Sequence, residues 1–144
     1  MECEFPSVNS NKQEIKEIFE EVKTIAVIGL SPDADKASHR VAKYLQEEGF
    51  KIVPVYPKED TILGEKVYRS LGEIPFPVDM VDIFRAAKAL EAVADACIAR
   101  GDIKVFWAQL GIVNNVAAQK AKDVEMKVVQ NMCTMIEHKA LKGM

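Results

Sequence analysis

Five short apolar runs punctuate the chain: TIAVIGL (24–30), KIVPVYP (51–57), DMVDIFR (79–85), KVFWAQL (104–110) and KVVQNM (127–132). Continuous runs of this kind suit strands buried on both faces, whereas a strand with one wet face alternates apolar and polar residues. Most of the intervals carry apolar residues three and four apart, the spacing of an amphipathic helix. A strand–helix–strand order needs a crossover, which makes the strands parallel, the connections right-handed and the sheet covered by helices. The expected fold is α/β: a Rossmann-like three-layer domain with a parallel sheet of five to six strands.

The helices follow from the same spacing. NKQEIKEIFEEVK aligns Ile15, Ile18, Phe19 and Val22, with Ser10 or Asn11 as N-cap. ASHRVAKYLQEEGF aligns Val41, Tyr44 and Leu45 and stops at Gly49. AAKALEAVADACIAR ends at Gly101, and NNVAAQKAKDV and MIEHKALK supply the last two. Residues 1–9 read as a loose leader, and the turn-rich 58–78 stretch holds one short edge strand at Val67–Arg69. Pro54 removes a ladder donor from the second strand. No repeat, low-complexity tract or linker divides the sequence, so 1–144 reads as one domain.

With 49% hydrophobic and 28% charged residues, the composition is that of a globular protein. A net charge of −3 argues against nucleic acid or an anionic membrane as partner, so a polyanion would have to meet a local cluster of cations. Cys3, Cys97 and Cys133 are scattered and form no C-x-x-C pair, which suits a reducing compartment. The N-terminus is rich in acids and nothing approaches the ~18 apolar residues of a membrane helix, so a cytoplasmic location is expected.

Ligands of open α/β sheets bind beyond the carboxyl ends of the strands, near the point where strand order reverses. This directs attention to 29–40, 56–58, 84–86, 109–114 and 131–138. The first of these, in VIGLSPDADKASHR, has Gly29 where a dinucleotide-binding loop has three glycines. It adds the hydroxyls of Ser31 and Ser38 and the charges of Lys36 and Arg40, next to the free amides of a helix start. Those residues fit a phosphate; they fit equally a tight turn at Gly29 with Ser38 as N-cap.

The second strand end discriminates better. An NAD site places Asp or Glu there, about 20 residues beyond the glycine loop, to hold the ribose hydroxyls. Here YPK supplies Lys58, and no acid precedes Glu59. A lysine suits a phosphorylated ribose, hence NADP or coenzyme A rather than NAD, unless Lys58 is a solvated loop residue. In DMVDIFR, Asp79 and Asp82 require partners if buried, and Arg85 is placed to reach a phosphate or an acyl carbonyl, or solvent. Cys133, Glu137 and His138 raise a Cys–His nucleophile against a buried thiol and a surface or capping histidine. With no third orienting group, no catalytic residue is assigned. His39 and His138 lie in different elements, so no metal site is expected either.

Taken together, AVIGLSPDADKASHRVAKYL, GFKIVPVYPK, LGEKVYRSL, VDMVDIFR, FWAQLGI and CTMIEHKAL resemble the small single-domain CoA-binding proteins of bacteria and archaea. That family is related to the CoA-binding domain of the succinyl-CoA synthetase α subunit. The resemblance implies a pyrophosphate site at Gly29, Leu30, Ser31, Lys36, Ser38, His39 and Arg40. It also implies adenosine along Tyr56, with Lys58 near the ribose phosphate, and a wall formed by Phe84 and Arg85. It carries no ligase activity, because the second domain that bears the phosphorylated histidine of the synthetase has no counterpart here. CoA or an acyl-CoA is the implied ligand, bound without catalysis.

The sequence also departs from that family. Ala86 and Ala87 follow DIFR where Pro or Ser with polar residues is common, Val116 replaces a common Glu, and Met132 replaces a frequent Arg. Ala86, Ala87, Val113 and Val116 raise a surface for a protein partner or a homodimer, natural or engineered. A protein-interaction module on this scaffold is thus the alternative to a CoA binder, ahead of an NADP-dependent oxidoreductase.

Overall fold

A computed structural model describes residues 5–143 of the chain. Five strands, β1 (Thr24–Ile28), β2 (Lys51–Val55), β5 (Met80–Ile83), β6 (Val105–Ala108) and β7 (Lys127–Val129), form one sheet in the order β2-β1-β5-β6-β7. Every neighbouring pair in it is parallel. The expected Rossmann-like α/β architecture is therefore the observed one. Apart from the partly exposed Thr24 and Lys127 and the exposed Lys51, the strand residues are buried, which is why they read as apolar runs, interrupted within β5 by the buried Asp82.

The pleat divides those residues between two cores. Ala26, Ile28, Val81, Ile83, Phe106 and Ala108 pack against α3 (Leu90–Arg100) and α4 (Asn115–Asp123). Ile25, Val27, Met80, Val105, Trp107 and Val129 face α1 (Lys12–Glu21), α2 (Ala37–Glu47) and α5 (Thr134–Lys142). Asn11, rather than Ser10, caps α1 through a reciprocal pair: its side chain accepts from the Glu14 amide (2.9 Å) while its own amide donates to Glu14 Oε1 (3.1 Å). Asp79 fastens the start of β1, its Oδ2 accepting from the Lys23 and Thr24 amides.

Three expectations need correction. The first four residues of the leader, Cys3 among them, lie outside the described residues, but residues 5–9 are docked rather than loose. Val8 is buried, Asn9 exchanges hydrogen bonds with the Gln130 backbone, and the neighbouring Ser10 hydroxyl donates to the Val128 carbonyl (2.7 Å). The edge strand expected at Val67–Arg69 shrinks to a single bridge, Tyr68 to Val55. The ladder of that stretch is instead a hairpin, β3 (Thr61–Ile62) with β4 (Glu65–Lys66), turning through Leu63 and Gly64 at φ 54° and 77°. Finally, the helix expected from Ala86 begins with a 3-10 turn, Ala87–Ala89, before α3. Arg100, at the end of α3, holds the stretch before β5 in place. It donates to the carbonyls of Leu71, Ile74 and Phe76 and grips Asp102 with two nitrogens, which holds the Asp102 carboxyl below its usual range.

Candidate functional site

Strand order reverses at β1: the chain moves outward to β2, then returns to the other side of β1 with β5. A crevice opens at such a point because consecutive connections leave on opposite sides. Here it is a cleft of about 460 Å³, walled by Ile28 and Gly29 after β1, Val55, Tyr56 and Pro57 after β2, and Phe84 and Arg85 after β5, with Arg69 closing one side. Of the residues singled out from the sequence, Gly29, Tyr56, Phe84 and Arg85 line this cleft together. Gly29 has a further reason to be glycine. Its φ is +86°, and a Cβ there would lie 2.5 Å from the Phe84 carbonyl oxygen.

The loop after Gly29 is braced from within. The Ser31 amide donates to Ser38 Oγ (3.0 Å), and His39 Nδ1 donates to the Ser31 carbonyl (2.9 Å). Ser31 Oγ in turn accepts from the Asp33 amide (3.1 Å). Ser38 is therefore not the N-cap of α2. Lys36 occupies that position without a side-chain capping bond, and Ser38, buried inside the first turn, spends its hydroxyl on the loop. Leu30 is fully buried in the α1/α2/α5 core, which leaves only its backbone for a ligand. Lys36 and Arg40 are exposed beside the helix start, and Arg40 Nη1 donates to the Asp35 carbonyl. Lys58 is exposed on the neighbouring loop.

The ion pairs among the described residues are Arg100–Asp102, Lys120 with Glu91 and Asp95, Lys127–Glu17, and Glu48 with Lys142 and His138. None involves Lys36, Arg40, Lys58, Arg69 or Arg85. Arg69 is the residue that strand-end reasoning missed, because it lies in the turn-rich stretch and follows no strand of the main sheet. Its only sequence signal was its place in LGEKVYRSL. A second cavity of about 240 Å³ adjoins the cleft, sharing Ile28, Val55, Arg69 and Arg85, and runs along the small residues Ala89, Ala92, Val93 and Ala96.

Asp82 has the partners a buried carboxylate requires. Gln109 Nε2 donates to its Oδ1, and Thr134 Oγ1 donates to its Oδ2 (2.9 Å). Burial nevertheless dominates these bonds and pushes the Asp82 carboxyl up to about 7. The Cys–His pairing gains no support. Cys133 is buried at the N-cap of α5, while His138 shares a 2.7 Å hydrogen bond with the Tyr44 hydroxyl among the rings of Phe19, Tyr44 and Phe50. Among the described residues no group of acidic, His or Cys side chains is arranged to hold a metal ion, and no helix is long and apolar enough to cross a membrane.

A parallel sheet with its cleft at the switch point places the chain among Rossmann-like α/β proteins. Residues 23–139 match the CoA binding domain family, and the chain belongs to that family. It is 42% identical to the uncharacterized protein YneT of Bacillus subtilis over 93% of this chain and 98% of that one. It is also 40% identical to an ADP-forming acetate–CoA ligase of Archaeoglobus fulgidus, over 55% of this chain but only 12% of the ligase. Among solved structures, a hypothetical protein from Pyrococcus horikoshii superposes with a TM-score of 0.90 at 36% identity, over 99% of this chain and 100% of that one. Prb, the PH1109 protein redesigned for binding, gives 0.90 at 34%, over 96% and 97%.

Proposed function

We propose that residues 1–144 form one domain that binds CoA or an acyl-CoA across the carboxyl edge of the sheet and does no chemistry on it. The observation that carries this reading is the switch-point cleft, with Arg69 and Arg85 in its wall and Lys36, Arg40 and Lys58 exposed on the segments that follow β1 and β2. Cations gathered at one edge of the sheet favour an anionic ligand. In this reading the pyrophosphate meets the first amides of α2 with Lys36 and Arg40, where the helix dipole is positive. Adenosine lies along Tyr56 with Lys58 at the 3′-phosphate, and pantetheine passes Phe84 and Arg85. Ser38 and His39 serve by fixing Ser31. NADP shares the phosphorylated ribose, but Gly29 stands where its usual loop has three glycines. Cys97 and Cys133 are free thiols, in keeping with a cytoplasmic setting.

Calorimetric titration of wild type, Lys36→Ala and Lys58→Ala tests the assignment. A charge-assisted hydrogen bond to phosphate contributes roughly 1.5–3 kcal/mol, so each substitution is expected to weaken CoA about ten- to a hundredfold. Lys58→Ala should leave dephospho-CoA binding nearly unchanged, whereas Lys36→Ala should weaken both. Equal losses for both ligands on replacing Lys58 would remove it from the 3′-phosphate.

A second reading, as an interaction surface, is favoured by one feature. Asn114 Nδ2 donates to the Ala87 carbonyl (2.8 Å), which joins the two helix starts, and Val116 stays 57% exposed beside them. Exposed Ala86, with Ala87 and Val113, completes that face for a homodimer or another protein. If it self-associates, sedimentation should show a dimer that Val116→Glu dissolves, since burying an unpaired carboxylate is costly. A monomer at high concentration, or a dimer indifferent to the substitution, would contradict this reading.

A further inference from the structure

Arg69 lines both cavities of the carboxyl edge, yet one of its nitrogens is committed elsewhere. Nη1 donates to three carbonyls of the loop after β2: Tyr56 (3.2 Å), Lys58 (3.0 Å) and Glu59 (2.8 Å). The convergence of three carbonyls on one cation curls this loop around the guanidinium. Within the curl Glu59 adopts φ +70°, a left-handed conformation that a non-glycine residue keeps only when its surroundings hold it. Arg69 is itself anchored. The Tyr68 amide donates to the Pro54 carbonyl and the Tyr56 amide to the Tyr68 carbonyl (3.0 Å each), and the Arg69 amide donates to Glu73 Oε2 (2.8 Å). The loop so gripped is the one that carries Lys58.

We infer that Arg69 is a positioning residue: by clamping the Tyr56–Glu59 loop it fixes Lys58 for the phosphate on the ribose, and so sets the preference for a 3′-phosphorylated over an unphosphorylated ligand. This rests on the CoA reading of the cleft and deepens it. Point charge alone does not perform the task. All three bonds leave from Nη1 at the far end of the planar guanidinium; a lysine at 69 keeps the charge on a flexible side chain one bond shorter.

The test is a calorimetric comparison of CoA with dephospho-CoA on wild type, Arg69→Lys, Arg69→Gln, Lys58→Ala and the Lys58→Ala/Arg69→Gln double variant. Both Arg69 variants are expected to lose about tenfold in the CoA to dephospho-CoA affinity ratio. Dephospho-CoA affinity should fall less than CoA affinity, because Tyr56 on the same loop and the cleft wall serve both ligands while Lys58 serves only one. With Lys58 already removed, Arg69→Gln should cost little more, since residues acting through one contact are not additive. A ratio of affinities measured on one preparation does not depend on its folded fraction, so a partly unfolded variant still reports. Equal losses for both ligands, a wild-type ratio in Arg69→Lys, or full additivity with Lys58→Ala would overturn the role of Arg69 while leaving CoA binding intact. A wild type that binds neither ligand would overturn both.

Discussion

Gly29→Ala is expected to lower the stability of the ligand-free protein by about 2–5 kcal/mol, combining a left-handed backbone penalty with overpacking against rigid neighbours. The clash is with backbone rather than with a side chain that can swing away. The new Cβ would sit 2.5 Å from the Phe84 carbonyl oxygen and 3.2 Å from its carbon. Neither partner can easily retreat, because the Gly29 amide donates to the Val55 carbonyl (2.9 Å) and the Phe84 amide to that of Ile28 (2.8 Å). Gly64 provides the control: its φ is +77°, and nothing lies within 4 Å of the position its Cβ would take. Gly64→Ala should therefore show the backbone penalty alone, about 1–2 kcal/mol. Urea unfolding of both variants separates the two contributions. Equal destabilisation would mean that β1 and β5 do not approach as closely as described.

Asp82→Asn is expected to stabilise the protein at about pH 8 and to flatten its pH dependence between about pH 4 and pH 7. Asp82 is fully buried, with Val27 and Trp107 beside it in the neighbouring strands and only the neutral donors Gln109 and Thr134 on its carboxyl. Its carboxyl is raised from 3.8 to about 7, first by burial. The unfolded chain therefore releases this proton at lower pH than the folded one. Asp82's contribution is most favourable below its unfolded value, declines as pH rises between the two, and is fully lost above about 7. A shift of this size corresponds to something on the order of 4 kcal/mol across that window. The comparison is unfolding free energy of wild type and Asp82→Asn at about pH 5 and about pH 8. An Asn variant less stable than wild type at the higher pH, or one with an unchanged slope, would mean that the folded carboxyl stays ionised.

Much of this architecture was legible because sheets buried on both faces leave a one-dimensional trace. Val27, Val53 and Phe106 sit in unbroken apolar runs, and parallel pairing follows once helices intervene. The loops were less legible where a side chain answers a backbone group some distance away. Ser38 reads as a cap from its neighbours alone, and only the fold reveals that it and His39 reach back to Ser31. The hairpin turn at Leu63–Gly64 was hidden because leucine gives no sign of a positive φ, whereas Asn-Gly would have announced it. That a buried Asp82 needs partners was legible, but Gln109 and Thr134, 27 and 52 residues further on, were not. Arg69 escaped for a related reason: its three acceptors are carbonyls, which every residue carries and no sequence pattern marks.

The central claim, a polyanion-binding cleft selective for CoA, is tested most directly by native mass spectrometry of the purified chain mixed with equal amounts of CoA, NADPH and NAD. Retention of one CoA per chain, with no NAD adduct, is the predicted result. A chain that retains NAD in preference to CoA, or that retains none of the three, would contradict it.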